Sequence, residues 1–476
     1  MNKAISHTAT FSLVLVLALI LQLTIVQGFS QEKYALNAAN QRNFLEVKST
    51  PRGQIIAGGA TLASSYQDAD ELYQREYGDQ AVEFSPVTGY VSDVYGTSQL
   101  EETYNGVLNG TDFYARQLLD HLTRDNPAGN NVELTLDPNV QQVAYDQLAS
   151  NGYEGSIVAI RPSTGEVVAM ASTPSYDPNL LANGDTAEQA WEELNADPSN
   201  PLLNHAAQET LPPGSIFKII TAAAGLKGDY TVDSQLTGAT QITLPNTETE
   251  LTNYNGNACT DGSDVTLETA FKLSCNTAFV QLGLAVGEDE FRSTAEDFGV
   301  GENYDLGLPT SSGELGELPD QAAIGQSAIG QRDVTMSTLQ AAVMAATVAN
   351  NGHRMEPHVV SRITGPDLNE IDAIEPKELN APVDEDIAGQ LRGLMIESEK
   401  NTTGYDGQDI ASKTGTAEHG AEDEAPHTWY VGFGPTEDAD IAVAVVVKNG
   451  GGQGQSATGG KVASPLGRAV IQAALG

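Results

Sequence analysis

The hydrophobic and polar positions of this chain are unevenly distributed, and the longest apolar stretch lies at the N-terminus. Phe11 to Val26 is a largely apolar run without a charged residue, close to the length of about 20 residues that a helix needs to cross a bilayer. Lys3 precedes the run, so a weak positive-inside bias directs the rest of the chain outward. We predict a cytoplasmic segment at 1–10 and a transmembrane signal-anchor helix at 11–29. A cleaved signal peptide is the alternative, although the run is long for one.

The stretch after the anchor is polar, with short apolar runs and many turn-forming residues. It includes Arg52–Ile56, which is typical of a turn entering a short strand. Asp125–Asn131 is rich in residues that end regular structure. We therefore place a domain boundary there, between an N-terminal domain at 30–136 and a main domain at 137–476. Val132–Leu136 is predicted to be a strand that crosses between them.

The main domain has strand-like segments at both ends and helical segments between them. Alternating or continuous apolar runs flanked by turn residues predict strands, and these are Ser156–Ile160, Glu166–Met170, Thr428–Phe433 and Ile441–Lys448. Apolar residues at helical spacing predict helices at Asp137–Leu148, Ser215–Leu226, Thr338–Asn350 and Pro465–Leu475. This order favours an α/β fold of the α+β type, with one antiparallel sheet assembled from distant segments and helices packed on it.

The charge of the chain limits the partners that its surface can bind. The sequence has 476 residues, which suggests two domains, and 64 acidic against 23 basic residues give a net charge of -41. Binding to nucleic acid through a broad basic surface is therefore excluded. The acidic residues are dispersed, as on a solvated surface. A negative substrate would need local positive charge, which Lys218 and Lys413 can supply.

The cysteines are two in number, Cys259 and Cys275. In an exported chain an even pair suggests a disulfide, which would stabilise the fold by about 3 kcal/mol in the chain-entropy model. Two free, buried thiols are the alternative. Because Cys275 lies between Ser274 and Asn276, a bridge would also fix the position of that loop.

A possible nucleophile stands in Ser215-Ile216-Phe217-Lys218, directly after Pro212-Pro213-Gly214. The prolines end any earlier helix, so Ser215 is predicted at a helix N-terminus, where backbone N–H groups favour negative charge. Lys218 lies at i+3 on the same face, and a buried lysine can lose its proton and take one from the serine hydroxyl. A capping serine and a surface lysine are the plain alternatives.

Two later motifs complete a catalytic set. Ser274 can relay a proton toward a leaving group, and the Asn276 amide can hold a substrate amide. Lys413-Thr414-Gly415-Thr416 is typical of an exposed edge strand. Gly415 lets a substrate backbone approach closely, so that a peptide can bind as an added strand. Lys413, Thr414 and Thr416 suit a terminal carboxylate, and the N–H groups of Ser215 and Thr416 are predicted to form an oxyanion hole.

Each motif is weak alone, but the three in this order predict acyl transfer through a serine ester. The chain has no Gly-x-Ser-x-Gly motif, and its seven histidines form no His-Glu-x-x-His pattern. We predict no metal and no cofactor.

With these motifs the sequence resembles the class B penicillin-binding proteins of actinobacteria. The resemblance spans nearly the whole chain and includes further motifs at Arg52-Gly53, Gly96 with Leu100-Glu101, Ser172–Asn179, Ser327–Gln331, Trp429–Phe433 and Gly459–Ala463. It implies a penicillin-recognising serine transpeptidase fold, with a five-stranded antiparallel sheet flanked by helices and an N-terminal pedestal domain.

The resemblance also implies an activity. Ser215 would attack the penultimate D-Ala of a peptidoglycan stem peptide, terminal D-Ala would leave, and an amine of a neighbouring stem would resolve the ester. β-Lactams would acylate Ser215 as substrate mimics. The catalytic domain would lie outside the cytoplasmic membrane on a single-pass anchor. Because the region before residue 137 is too short for a fused glycosyltransferase, a separate glycan polymerase of the SEDS type is the expected partner.

Two other functions stay open at this point. The same serine chemistry with water as acceptor would give a D,D-carboxypeptidase or a β-lactamase. A non-catalytic chain would be a penicillin sensor or a scaffold for wall synthesis. The anchor and the additional N-terminal domain favour the transpeptidase, since a soluble hydrolase needs neither.

Overall fold

The first helix of the chain is long and apolar. The computed structural model describes residues 2–29, 48–111, 128–419 and 424–476. Helix α1 runs from Asn2 to Phe29, and its segment Ile5–Thr24 is long and apolar enough to cross a membrane, with none of it buried against the protein. The helix begins before the predicted boundary at residue 11, since the largely polar residues 2–10 are helical as well. The Thr10 hydroxyl is satisfied within the helix, where its Oγ1 donates to the Ser6 carbonyl at 3.0 Å.

The remaining elements are short strands and helices in an irregular order along the chain. The strands are β1 Ile55–Ala57, β2 Ala60–Gln67, β3 Tyr73–Tyr77, β4 Val91–Ser92, β5 Gly96–Thr97, β6 Asn131–Leu134, β7 Gly155–Ile160, β8 Val167–Thr173, β9 Gln235–Leu236, β10 Gln241–Thr243, β11 Glu250–Thr252, β12 Val265–Thr266, β13 Arg354–Met355, β14 Val360–Thr364, β15 Glu370–Ala373, β16 Glu378–Asn380, β17 Ala411–Ala417, β18 His427–Gly434 and β19 Ile441–Val447. The helices after α1 are α2 Ala81–Thr88, α3 Gln99–Thr103, α4 Asn105–Asn109, α5 Pro138–Ala149, α6 Asn179–Ala182, α7 Ala187–Ala196, α8 His205–Gln208, α9 Lys218–Lys227, α10 Leu267–Lys272, α11 Asn276–Val286, α12 Glu288–Asp297, α13 Gln321–Ser327, α14 Thr338–Ala349, α15 Glu385–Lys400 and α16 Gly459–Leu475.

The predicted antiparallel sheet has five strands in the order β17-β18-β19-β7-β8. Every residue of β19 is buried, because helices cover both faces of the sheet: α5 and α16 pack on one, and α14 on the other. Since side chains alternate along a strand, Val443, Val445 and Val447 belong to the core under α16. Their neighbours Ala444 and Val446 belong to the larger core on the other face. Strand β17 forms one edge of this sheet.

A second sheet has six strands in the order β15-β14-β6-β1-β2-β3, and we call the region around it the pedestal. The predicted crossing strand is β6, which pairs with β1 in parallel and with β14 antiparallel, Val360 opposite Leu134. Two of the six strands, β14 and β15, therefore come from residues 360–373, far beyond the N-terminal region. The division of the chain at residues 136 and 137 stays a prediction.

Helix α16 begins earlier than the sequence indicates. Pro465 lacks a backbone N–H and favours a helix start at that point, but the helix begins at Gly459 and continues through the proline. A Cβ at Gly459 would come within 2.5 Å of the Gly415 carbonyl oxygen. The glycine therefore allows the start of α16 to lie directly against β17.

Candidate active site

Ser215 lies in a tight turn rather than in the first turn of one long α-helix. Gly214–Phe217 is a 3-10 helix, and α9 begins only at Lys218. Gly214 has a left-handed φ of 53°, and its N–H donates to the Gly330 carbonyl at 2.9 Å. The predicted single helix from Ser215 to Leu226 is thus interrupted, because this contact fixes the backbone just before the serine. Ser215 is partly exposed.

Lys218 is fully buried beneath Ser215. Its Nζ donates to the Ser274 carbonyl at 2.7 Å, the Ser274 hydroxyl at 3.2 Å and Asn276 Oδ1 at 2.8 Å. Within the described part of the chain, none of its hydrogen bonds goes to Ser215. Burial lowers the pKa of Lys218 well below its ordinary value, and the charge of Lys413 lowers it further.

Lys413 reaches the same serine from the sheet. Its Nζ lies 2.9 Å from Ser274 Oγ and 3.0 Å from the Thr414 carbonyl oxygen, and its side chain is 1% exposed. Burial lowers the pKa of Lys413 to about 7. The Ser274 hydroxyl therefore stands between two buried lysines, which gives a path for a proton from one to the other.

Aromatic rings complete the lysine environment. Lys218 Nζ lies 5.5 Å from the centre of the Phe279 ring, and Lys413 Nζ lies 5.7 Å from that of Phe271. Ring faces attract cations, and neither lysine has a carboxylate partner among the described residues. The sequence analysis did not single out these phenylalanines, because nothing in the local pattern distinguishes them from ordinary apolar helix positions.

The loop that carries Ser274 is held on several sides. A disulfide joins Cys259 and Cys275 with a Cα–Cα distance of 5.5 Å. Asn276 Nδ2 donates to the Thr252 carbonyl at 3.0 Å. Ser274 itself has a left-handed φ of 59°, a conformation that is uncommon outside glycine and that needs such support.

The lysine motif lies along β17 beside the serine. β17 pairs with β18 on one side, Lys413 opposite Val431 and Thr416 opposite Thr428, and its other edge borders the site. A Cβ on Gly415 would meet the Pro213 carbonyl oxygen at 2.8 Å, so only glycine allows this strand to pass the turn that precedes Ser215. Trp429 Nε1 also donates to the Pro212 carbonyl at 2.8 Å, which fixes the same turn.

These elements enclose one cleft with a volume of about 910 Å³. Its lining includes most of the predicted site residues, namely Ser215, Ser274, Asn276, Lys413, Thr414 and Thr416. Among the described residues, no group of three or more His, Cys, Asp or Glu side chains is arranged to hold a metal ion. The cleft thus combines a partly exposed serine with two buried amines and an open strand edge.

Comparison with protein families agrees with this geometry. The model of the penicillin-binding protein transpeptidase domain matches residues 155–472, and the model of the penicillin-binding protein A dimerisation domain matches residues 52–132. The chain belongs to the penicillin-binding protein transpeptidases. Both predictions from the sequence, the family and its fold, are thereby confirmed.

Individual relatives of this penicillin-binding protein match along its whole length. It is 44% identical over 490 residues to the peptidoglycan D,D-transpeptidase PbpA of Mycolicibacterium smegmatis, covering 100% of this chain and 99% of the relative. It is 42% identical to PbpA of Mycobacterium tuberculosis over 489 residues, with the same coverage. A solved structure of penicillin-binding protein A from M. tuberculosis, a penicillin G acyl-enzyme complex, superposes with a TM-score of 0.86 at 43% identity, covering 90% of this chain and 100% of that one.

Proposed function

We propose that this chain is a peptidoglycan D,D-transpeptidase, which cross-links stem peptides through an acyl-Ser215 intermediate, releases D-Ala and is a target of β-lactams. The observation that carries the proposal is the pair of buried lysines, Lys218 and Lys413, that meet at Ser274 beside a partly exposed Ser215. Relatives with the name D,D-transpeptidase, and one whose structure is a penicillin G acyl-enzyme, support it.

The first step is attack of the Ser215 hydroxyl on the carbonyl of the penultimate D-Ala. Lys218 is proposed as the base, because a lysine with a depressed pKa can be neutral near pH 7. A neutral amine has two N–H groups and a lone pair. The Ser274 carbonyl and the Asn276 amide oxygen only accept hydrogen bonds, so they occupy the N–H groups. The lone pair is then left for a hydroxyl, which is the Ser215 hydroxyl once substrate is bound.

The strand edge is proposed to hold the substrate during this attack. A peptide that runs antiparallel to β17 brings its C-terminal carboxylate to Lys413 and to the hydroxyls of Thr414 and Thr416. Gly415 lets its backbone approach. The N–H groups of Ser215 and Thr416 are proposed to stabilise the negative oxygen of the tetrahedral intermediate.

Collapse of the intermediate breaks the peptide bond to the terminal D-Ala. The leaving amine takes the proton that Lys218 removed, and we assign its transfer to the Ser274 hydroxyl, which contacts both lysines. In the second half, the amine of a neighbouring stem attacks the ester. Its proton returns by the same path to Ser215, so that the serine is regenerated and a new peptide bond remains.

Labelling with a fluorescent penicillin tests the nucleophile. The wild type should form a long-lived covalent adduct, and Ser215→Ala should form none. Ser163→Ala, which changes an exposed serine in the turn after β7, is the matched control and should label normally. Persistent labelling of Ser215→Ala would refute the proposal.

The lifetime of the label and the growth of variant cells separate the alternative functions. Rapid loss of label from the wild type would indicate a hydrolase, either a D,D-carboxypeptidase or a β-lactamase. A sensor or scaffold would instead be indicated if Ser215→Ala supported normal cell-wall growth while truncation of the pedestal did not.

The location and the partner complete the proposal. The exposed apolar span Ile5–Thr24 is proposed to cross the cytoplasmic membrane once, with the catalytic region on the outer side, where its stem-peptide substrate lies. A membrane glycan polymerase of the SEDS type is proposed as the partner. Protease accessibility in intact spheroplasts tests the orientation, and cross-linking from introduced photoreactive residues in α1 tests the partner.

A further inference from the structure

A buried carboxylate lies behind the strand that carries Lys413. Glu399, near the end of α15, is 0% exposed. It accepts a hydrogen bond from Arg468 Nε of α16 at 2.6 Å, and it also accepts one from the hydroxyl of Ser412. Ser412 is itself fully buried and directly precedes Lys413. A single carboxylate thus connects α15, α16 and β17.

The position of Ser412 makes this connection relevant to the cleft. Successive side chains of a strand point to opposite faces of the sheet, so Ser412 and Lys413 lie on opposite faces of β17. As an edge strand, β17 is paired only with β18, so it has backbone hydrogen bonds to the sheet along one side only. The hydrogen bond between Ser412 and Glu399 holds β17 on the face opposite Lys413, one residue along the strand from the lysine.

Arg468 extends the connection to the wall of the cleft. Its Nη1 donates to the Thr403 carbonyl at 2.8 Å, and Thr403 lines the cleft together with Thr402. Glu399 and Arg468 therefore hold two separate parts of the same wall, the start of β17 and the loop that follows α15.

The surroundings leave these side chains little freedom. The Tyr430 ring is fully buried next to them, and its pKa is raised by burial and by the negative charge of Glu399. A Cβ on Gly467 would come within 2.3 Å of that ring. Because the space is filled, a movement of Ser412 must be transmitted along β17.

We propose that Glu399, Ser412 and Arg468 are positioning residues that hold Lys413 within hydrogen-bond reach of Ser274. This rests on the role proposed for Lys413 above. The ion pair between Glu399 and Arg468 compensates two buried charges by itself, whereas the bond to Ser412 adds no charge compensation. The hydrogen bond from Ser412 to Glu399 instead fixes the register and tilt of β17.

The test compares two buried serines of the same sheet. Ser412→Ala removes the hydrogen bond to Glu399 and leaves the ion pair between Glu399 and Arg468 intact. The control is Ser156→Ala, because Ser156 on β7 is equally buried and its hydroxyl bonds to Thr338 Oγ1 at 2.7 Å. We expect Ser412→Ala to lower the second-order rate of penicillin acylation about tenfold, since small misplacements of reacting groups have large effects on rate. Ser156→Ala should change the rate less than about twofold, although it should lower Tm by an amount similar to that for Ser412→Ala.

The pH profile separates positioning from general loosening of the fold. If Lys413 gains access to water in Ser412→Ala, the limb of the acylation profile that belongs to Lys413 should move to higher pH, and it should not move in Ser156→Ala. Glu399→Gln should instead affect thermal stability more than the acylation rate. Its amide can still bond to Ser412, so acylation should fall less than in Ser412→Ala, whereas Tm should fall more because Arg468 loses its counter-charge. Equal acylation rates and equal pH limbs in the two serine variants would overturn the proposal.

A double-mutant cycle shows whether the effect acts through Lys413. In a Lys413→Ala background, Ser412→Ala should cause no further loss of acylation rate, because coupled residues are not additive. A further loss of about tenfold in that background would also overturn the proposal. If Lys413→Ala alone left acylation unchanged, the role of Lys413 would fail instead, so the two failures are distinguishable.

Discussion

The pedestal and the active site each bury a pair of cations around one shared residue. In the pedestal, Arg52 Nε and Arg75 Nε lie 2.7 Å and 2.6 Å from the two oxygens of Glu101, which is fully buried. In the active site, Lys218 and Lys413 lie 3.2 Å and 2.9 Å from the hydroxyl of Ser274. The geometry is similar, but a carboxylate stands between the cations in one place and a neutral hydroxyl in the other.

This difference decides whether the cluster is fixed or able to move a proton. Burial alone would raise the pKa of Glu101, but the charges of Arg75 and Arg52 outweigh it and lower that pKa. The cluster therefore stays ionised, since arginine does not lose its proton in proteins. Without a carboxylate, burial lowers the pKa of both active-site lysines. Buried cations that are paired with a carboxylate stabilise a fold. Buried cations without such a partner have perturbed pKa values, which suit acid–base chemistry.

The largest expected effect follows from removing a cation at the active site. Lys218→Met should lower the rate of penicillin acylation about 10³-fold, within the range for loss of a general base. Arg52→Met is the matched change in the pedestal and should leave the rate per folded molecule within about twofold. Stopped-flow acylation with protein of known folded fraction measures both. Comparable losses of rate in the two variants would contradict the distinction between the clusters.

Removing the carboxylate of the pedestal should act on stability instead. Glu101→Gln leaves two buried arginines without a counter-charge, so we expect it to lower the free energy of unfolding by about 3 kcal/mol. Urea denaturation of the pedestal transition measures the loss. Acylation by the molecules that remain folded should be unchanged. A loss below about 1 kcal/mol would mean that water or neighbouring amides compensate the arginines.

The two clusters should also change stability in different pH windows, one alkaline and one acidic. Lys413 has a pKa of about 7 in the folded protein against 10.5 when unperturbed. Between these values the unfolded chain holds the proton and the folded one does not, so stability should rise with pH, by up to ~1.4 kcal/mol per unit. Glu101, with its lowered pKa, stabilises above about pH 4.3 and loses its effect as pH falls.

Thermal melts at graded pH test this difference, with Lys413→Met as the comparison. The substitution should reduce the rise between about pH 7 and 10.5 and leave the acid limb unchanged. An unaltered alkaline slope in Lys413→Met would show that Lys413 keeps its proton in the folded state.

The smallest expected effect concerns the ring next to Lys218. Phe279→Leu removes a ring face that favours the ammonium form, worth about 1 kcal/mol, and so lowers the pKa of Lys218 further. Because the neutral amine of Lys218 is the proposed base, the acid limb of acylation should move to lower pH by less than about one unit. Phe271→Leu, which changes the ring beside Lys413, is the control and should leave that limb in place. A shift to higher pH would contradict the effect of the ring on the charge.

The sequence predicted the parts of the site that local patterns encode. The Pro-Pro-Gly before Ser215, the spacing to Lys218 and the edge-strand character of β17 all depend on neighbours in the chain. The hydrogen bonds of Lys218 to Ser274 and Asn276, rather than to Ser215, depend on how α9 packs against α11. That packing has no local signal. Glu399 likewise follows an ordinary amphipathic helix pattern, and only the tertiary fold places it behind Lys413.

The fold, too, could be predicted only where local sequence patterns indicate an element. Apolar runs indicated β7, β8, β18 and β19 and hence the five-stranded sheet. The strands β14 and β15 are short, and two of the five residues of β14 and all four of β15 are partly or fully exposed. Nothing in their sequence indicates that they belong to the sheet of the N-terminal region, because strand pairing over more than 200 residues is decided by the completed fold.

The six-stranded sheet also determines how this protein can be divided in the laboratory. A shortened chain that begins at residue 137 would lack β6 and β1, and β14 would then expose a row of unpaired N–H and C=O groups along its whole length. Open edges of this kind pair readily with other chains. Such a fragment would tend to self-associate even with an intact cleft, so enzymology on soluble material should start before β1 and omit only the membrane helix.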